Sequence, residues 1–263
     1  MFTITPGADL TLRPIRPDDE ATLLGIFAST REEERQQLGW DAPAWDAFIR
    51  QQFEAQHRQY MTAYAHPAFS LVLLGGEAAG RLYVDRGSEE IRIVDIALLP
   101  PYRRQGLGRR LLQALADEAD ASGLPLGLHV EKNNPALGWY RRLGFAEQAD
   151  RGVYLYLQRP PVPVPGIETL AAQAGSDFAL CLPGGGTVAL RLQDIVRQPH
   201  ASSLHFTGPD LGRPAHATYT LAHPLLGRFP LFLGPVMGGA AGEVCYQAIV
   251  THLNPSPAKE PTP

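Results

Sequence analysis

Ile93-Val94-Asp95-Ile96-Ala97-Leu98-Leu99-Pro100-Pro101-Tyr102-Arg103-Arg104-Gln105-Gly106-Leu107-Gly108-Arg109-Arg110-Leu111-Leu112 runs from an apolar strand, through a turn broken by two prolines, into a helix. Gly106 and Gly108 let the backbone approach a ligand closely. The first amides of the helix have no intrahelical acceptor and lie at the positive end of the helix dipole, so they form a cradle for an anion. Arg103, Arg104 and Arg109 add charge suited to phosphate oxygens. Taken alone, the same residues also read as a helix start with solvated arginines.

Upstream of this segment, alternating Leu10, Leu12 and Ile15 predict a strand. Asp18 is placed to cap a helix carrying Leu23, Leu24 and Phe27. Trp45, Phe48, Ile49, Phe53, Tyr60 and Met61 fall near helical spacing between about Pro43 and Tyr64, with Pro67 beyond the end. Three strands follow, Ala68–Leu74, Ala78–Asp85 and Glu90–Leu99, separated by Gly75-Gly76 and Gly87-Ser88, turns that suit antiparallel hairpins. Downstream, Leu107, Leu111, Leu112, Leu115 and Ala119 make one helical stripe ending at Gly123. A strand over Leu126–Glu131, a helix from Pro135 to about Leu143 and a last strand or hairpin ending Val153–Leu157 complete the order β-α-α-β-β-β-α-β-α-β.

The 263 residues divide near Arg159. Residues 1–159 hold 18 Lys/Arg and 21 Asp/Glu, against 5 and 6 in residues 160–263. Pro160-Pro161-Val162-Pro163-Val164-Pro165-Gly166 stands at the junction, and its fixed φ angles and missing N–H donors favour an extended spacer. The expected domains are therefore 1–159, a linker over 160–166, a small all-β domain over 167–254 and a disordered tail over 255–263. Within the third, six short runs predict a barrel or sandwich: Phe178–Leu182, Thr187–Leu192, Ser203–Phe206, Ala217–Leu221, Phe229–Leu233 and Val244–Val250. Leu180-Cys181-Leu182-Pro183-Gly184-Gly185-Gly186-Thr187 lacks the Lys-Ser/Thr of a phosphate loop and reads as a glycine hairpin.

At this point the sequence resembles the GNAT superfamily of acetyl-CoA-dependent N-acyltransferases. Its Arg/Gln-x-x-Gly-x-Gly/Ala signature is matched by Arg103-Arg104-Gln105-Gly106-Leu107-Gly108. The preceding Asp95–Pro100 and the later Asn133-Asn134-Pro135-Ala136-Leu137-Gly138-Trp139-Tyr140-Arg141-Arg142-Leu143-Gly144-Phe145 are similar to the family at the expected separation, and the likeness covers roughly residues 8–158. It implies a mixed central sheet flanked by helices. It also implies a CoA pyrophosphate on the amides of Gln105, Gly106, Leu107 and Gly108, and a pantetheine arm paired with the backbone around Ile96, Ala97 and Leu98. There a bulge would splay two parallel strands, and backbone N–H groups could polarise the thioester carbonyl. Asn134 matches the position that contacts the cofactor arm or caps the next helix.

By the same resemblance Tyr140 is the acid that protonates the departing thiolate, with a packing role before Leu-Gly-Phe as the alternative. The general base is open between His129, Glu131 and Asp95. His129 and Glu131 share a strand face, and His129 stands where related N-terminal protein acetyltransferases carry a glutamate. Glu32-Glu33-Glu34, Gln36/Gln37, Trp40 and Trp45 lie where acceptor specificity is set in this fold, although Glu32–Glu34 also read as a solvated helix face.

The expected activity is transfer of an acetyl group from acetyl-CoA to a primary amine of a small molecule or protein by direct attack in a ternary complex. The alternative is a non-catalytic acyl-CoA-binding or scaffold protein whose β domain mediates protein interaction. That domain weakly resembles a bacterial family of unknown function, and its low charge suggests docking or self-association. Net charge −4 gives no global reason to expect nucleic acid. His200, His205, His216 and His223 match no ligand spacing, so no metal is expected, and Cys181 and Cys245 read as small buried hydrophobes. With neither a basic-then-apolar leader nor an apolar run near ~18 residues, a cytoplasmic protein without membrane contact is expected.

Overall fold

The computed structural model describes residues 9–64, 67–182, 186–211, 216–236 and 243–251, so the expected tail at 255–263 lies outside the described residues. The chain forms two compact units that divide near Pro161–Val162. The first is a seven-stranded mixed sheet flanked by helices, and the second is a closed six-stranded barrel.

In the first unit β1 (Leu10–Pro14) is followed by α1 (Glu20–Ser29), α2 (Glu32–Leu38) and α3 (Ala42–Ala63), then by β2 (Pro67–Leu74), β3 (Glu77–Arg86) and β4 (Ile91–Leu98). Next come α4 (Leu107–Ser122), β5 (Leu126–Glu131), α5 (Leu137–Arg142), β6 (Ala146–Arg151) and β7 (Tyr154–Arg159). The strand order is β1-β2-β3-β4-β5-β7-β6, and β4–β5 is the parallel pair.

The predicted stripe of α4 is fully inside, with Leu107, Leu111, Leu112, Leu115 and Ala119 at most 3% exposed. They pack with Val72, Leu82, Ile91, Leu126, Leu128 and Leu157 on one face of the sheet. Two bidentate ion pairs fasten the polar side of α4. Arg86 reaches Glu118 at 2.6 and 3.0 Å, and Arg159 reaches Asp120 at 2.7 and 2.9 Å. On the opposite face Leu23, Ile26, Phe27, Trp45, Ile49 and Phe53 of α1 and α3 pack against Phe69, Leu71 and Tyr83.

Several local expectations are corrected. Asp18 does not cap α1. The helix is entered through a single 3-10 turn, Pro17–Asp19, and it is Asp19 that accepts the Arg16 amide at 2.7 Å and both amino groups of Arg13. Asp41 caps α3 by accepting from the Ala44 amide at 2.9 Å. Trp45 sits in the core rather than at an acceptor surface, 3% exposed.

The second unit adds the short helix α6 (Ile167–Ala171) to six strands: β8 (Asp177–Cys181), β9 (Thr187–Arg197), β10 (Ala201–Pro209), β11 (Ala217–His223), β12 (Gly227–Val236) and β13 (Glu243–Thr251). They close in the order β10-β13-β12-β11-β8-β9, every neighbour antiparallel. Alternation places Phe178, Leu190, Leu204, Phe206, Leu221, Phe229 and Tyr246 inward, each at most 1% exposed. Cys181 and Cys245 are half-buried free thiols rather than core residues. Among the described residues, no helix is long and apolar enough to cross a membrane.

Candidate active site

In the first unit the parallel pair β4–β5 parts before the strands end. β4 and β5 pair only through Ile91↔Leu126, Arg92↔Gly127 and Ile93↔Leu128. On its other side β4 pairs Tyr83↔Asp95 and Val84↔Ile93, which leaves Val94 unmatched, so the bulge falls at Val94 rather than within Ile96–Leu98. Past that point β4 continues to Leu98 and β5 to Glu131 without pairing each other. The gap is the floor of a cleft of about 510 Å³ lined by residues of β4 and β5, by Arg31, Glu33, Glu34 and Gln37 around α2, and by Tyr140 and Tyr154.

The quoted turn stands where β4 leaves the sheet. Arg104 (φ 60°) is the one described non-glycine with a positive φ, and Gly106 (φ 80°) precedes α4 in the same left-handed region. A side chain at Gly106 would meet nothing within 4 Å, so the demand there is conformational. Alternating signs of φ turn successive amides the same way, as an anion-binding nest requires. The Arg110 amide is the first of the helix to find an acceptor, the Gly106 carbonyl at 3.0 Å, so those of Leu107, Gly108 and Arg109 stay available. The Gln105 side chain pins the turn by donating to the Pro101 carbonyl at 2.6 Å.

Arg103 does something the sequence did not announce. Its guanidinium donates to the Leu98 carbonyl at 2.7 Å and to the carbonyl and hydroxyl of Ser29 at 3.0 and 3.2 Å. It therefore ties the end of β4 to the end of α1 and is not turned toward a phosphate. Arg104 and Arg109 are exposed and make no side-chain hydrogen bond or ion pair to the described residues.

Tyr140 lies 7% exposed on α5, its ring against Trp139 and Phe145, and its hydroxyl has no hydrogen-bond partner among the described residues. Burial, with the Asp95 charge added, pushes the phenol up to about 12, so it keeps its proton at neutral pH. His129 is exposed on β5, its ring 5.1 Å from that of Tyr156. Burial first, then the charges of Arg92 and Arg151, hold its pKa below the usual 6.5, so it is neutral at pH 7.

Tyr156 is fixed in turn by Glu90, which accepts from its hydroxyl, from Gln158 at 3.3 Å and from Arg92 at 2.6 Å. The Glu90 carboxylate occupies the space a Cβ at Gly127 would fill, so this support for His129 depends on a glycine. Sequence reading missed this group, because its members are scattered from 90 to 158 and carry no spacing signal.

Asp95 is already engaged. Its Oδ2 accepts from Arg81 at 2.7 Å and lies 3.5 Å from the Tyr60 hydroxyl. Arg81 is 2% exposed, bonded also to Gln56 and set against the rings of Phe27 and Tyr83. Using Asp95 as a base would break that buried pair. Glu131 is half-buried and meets the Tyr154 hydroxyl at 3.5 Å. Asn134 accepts the Ala136 amide at 2.8 Å in a turn ahead of α5, whose N-cap position is Ala136 and carries no side-chain cap, so Asn134 does not cap the helix itself.

A sheet opened beside a glycine turn at a helix N-terminus, with an unpartnered buried tyrosine in the opening, defines the class. The acetyltransferase (GNAT) family model matches residues 30–145, and that of a domain of unknown function, DUF6916, matches residues 165–250. The protein therefore carries a GNAT domain followed by a DUF6916 barrel.

Among curated relatives it is similar to the [ribosomal protein bS18]-alanine N-acetyltransferase of Escherichia coli K12, 43% identical over 68 residues, 25% of this chain and 46% of that protein. The counterpart in Salmonella typhimurium is 40% identical over the same length. The chain thus spans about half the length of the curated relatives it matches. Solved structures that resemble it include PaiA N-acetyltransferase from Thermoplasma acidophilum in complex with coenzyme A, at TM-score 0.45 and 14% identity over 57% of this chain and 98% of that one. The Escherichia coli ribosomal-protein-S18-alanine N-acetyltransferase aligns at TM-score 0.42 and 20% identity, over 60% and 97%.

Proposed function

We propose that the first unit is an N-acetyltransferase that moves an acetyl group from acetyl-CoA to a primary amine, with a protein N-terminus as the favoured acceptor. The observation that carries this is the opening between β4 and β5 beside the free amides of Leu107, Gly108 and Arg109. An extended thioester arm fits an unpaired strand edge, and a pyrophosphate fits the helix start. Acetyl-CoA would supply the activated acyl group. The residues that would hold it are Ile96, Ala97 and Leu98 along the strand, then Gln105, Gly106, Leu107 and Gly108 at the turn, with Arg104 and Arg109 lending charge.

The chain's own groups then have separable tasks. His129, neutral at pH 7, accepts the proton that an ammonium must lose before its nitrogen has a lone pair. Tyr140, protonated at that pH, donates to the departing sulfur. Backbone amides at the β4 bulge stabilise the oxygen that becomes negative. Likeness to a ribosomal-protein alanine acetyltransferase supports a protein acceptor, and the family match supports the reaction class.

Thiol release over a panel of N-terminal peptides and small amines tests the reading. Turnover that depends on Tyr140 supports it, and acetyl-CoA binding without turnover on any amine favours the acyl-CoA-binding alternative. For the barrel, docking or self-association is supported by an outward row in which Val196, Ile249 and Phe232 are 44%, 58% and 57% exposed.

A further inference from the structure

Glu90, immediately before β4, divides its two oxygens between two tasks. Oε1 accepts from the Tyr156 hydroxyl and from Gln158 Nε2 at 3.3 Å, while Oε2 accepts from Nε and Nη2 of Arg92 at 3.0 and 2.6 Å. The Tyr156 hydroxyl also accepts from Gln158 at 2.9 Å, so it is engaged both as donor and as acceptor. The Arg92 guanidinium lies 5.3 Å from the centre of the Tyr156 ring. One carboxylate, 15% exposed, thus holds a phenol and a cation together.

His129 is the cleft residue beside this group. It pairs with Tyr156 across β5 and β7, so both side chains leave the sheet on one face, with their rings 5.1 Å apart. Its ring makes no side-chain hydrogen bond or ion pair to the described residues, so packing against Tyr156 locates it. Arg92 and Arg151 oppose a charge on His129, and Glu90 favours one. The other carboxylates near the cleft are placed differently. Glu131 meets Tyr154, Asp95 is spent on Arg81, Glu34 on Arg31, and Glu33 is exposed. Among these carboxylates Glu90 alone is bonded to the residue against which His129 packs.

We propose that Glu90 is the positioning residue for His129: it locks the aromatic surface on which the imidazole rests and offsets the Arg92 cation beside it. This rests on the transferase reading above, in which His129 takes a proton from the acceptor. Without the carboxylate, an unpaired guanidinium would stand near a group that has to become positive. The chain makes room for Glu90 at Gly127. A Cβ there would coincide with Glu90 Oε1 and lie 3.0 Å from the Tyr156 hydroxyl, whereas the Gly127 φ is not positive, so the demand is for space and not for conformation.

The test follows the His129 imidazole by NMR titration of the full chain, which needs no acceptor. Of the eight histidines, His129→Gln identifies the resonance in question. Glu90→Gln removes the anion and should move the His129 midpoint to lower pH, and Arg92→Gln removes the cation and should move it to higher pH. The acid limb of kcat/KM should follow the midpoint in each case. Glu90→Gln keeps an oxygen for the Tyr156 hydroxyl and should retain most of the plateau rate. Glu90→Ala loses that acceptor as well, and Gly127→Ala keeps both charges but expels the carboxylate. Each of these two should lower the plateau on the order of tenfold. Acetyl-CoA affinity, which reports folding, should be unchanged throughout. Glu77→Gln, at the end of β3 remote from the turn into β4, should move neither midpoint nor plateau.

His129 midpoints that stay fixed in Glu90→Gln and Arg92→Gln, or that move the same way, overturn the proposal even with turnover intact. So does a plateau that survives Glu90→Ala. Opposed midpoint shifts with an acid limb that ignores them take the base role from His129 and leave its control by Glu90 standing. Opposed shifts without turnover on any amine break the transferase reading in the same way.

Discussion

Two buried tyrosines separate the two halves of this protein. Tyr246, inside the barrel and fully buried, donates its hydroxyl to the Pro209 carbonyl at 2.7 Å, whereas Tyr140, nearly as buried, donates to nothing among the described residues. The histidines repeat the contrast. His223 accepts the Leu225 amide at Nδ1 (3.2 Å) and meets Ser176 Oγ at Nε2 (3.1 Å), while His129 faces an open cleft. The sheets differ in closure, since every barrel strand has an antiparallel neighbour on both sides, whereas the first unit's sheet is open and its parallel pair β4–β5 parts beyond Ile93 and Leu128. A closed set of satisfied groups is stable and has nothing left to offer a substrate. Chemistry needs polar groups held in place and left unfinished, at a cost borne by the rest of the fold.

The strongest way to break this contrast is to remove both phenol oxygens in turn. Tyr140→Phe should lower turnover by about 10²- to 10⁴-fold with acetyl-CoA affinity kept, as expected for a lost general acid. Tyr246→Phe should leave turnover untouched and cost about 1 kcal/mol in the denaturation of the barrel. Gly106→Glu comes next. It forces a side chain into a left-handed position and puts a carboxylate at the anion cradle, so calorimetry should show acetyl-CoA affinity reduced by on the order of 100-fold or more.

A third change sharpens the independence of the units. Phe229→Ala should destabilise the barrel by about 3–5 kcal/mol, read as a lowered second unfolding transition, with CoA binding by the first unit preserved. A fourth concerns pH. A base whose pKa is held below 6.5 is competent above that value and lost as pH falls through it, so kcat/KM should show an acid limb below pH 6.5. His129→Gln should remove the limb as well as rate, and an unchanged limb would assign the base elsewhere. The smallest effect is expected of Arg104→Ala or Arg109→Ala, a few-fold weaker CoA binding that fades with salt, since both side chains are exposed.

Much of the fold was legible because it is written in local periods. The stripe on α4, the bounds Leu126–Glu131 of β5 and the six runs of the barrel follow from side chains repeating at 3.6 or 2 residues against a core. β6 was blurred into a final hairpin because five of its six residues are exposed and no alternation marks them. α2 was seen only as a charged face because none of its residues is buried.

In the site, the glycine turn and Tyr140 were legible through family likeness and backbone chemistry. Arg103 was not read as a brace because one of its two partners, Ser29, is 74 residues away and the other is a backbone carbonyl, that of Leu98. A charge that faces phosphate and one that braces a loop look alike in a string of letters.

By itself, then, the sequence determined the element types, the two-part chain and the cradle at Gly106, all of which depend on backbone freedom and on periodicities a few residues long. Tertiary structure alone decided which polar groups were spent and which were left over. Arg103 went to Ser29 and Leu98, Asp95 to Arg81, and Glu90 to the support of Tyr156, while the Tyr140 hydroxyl found no partner among the described residues. Hydrogen bonds and ion pairs are made between whichever groups folding brings within about 3 Å, and that proximity is a property of the packed chain, not of its order.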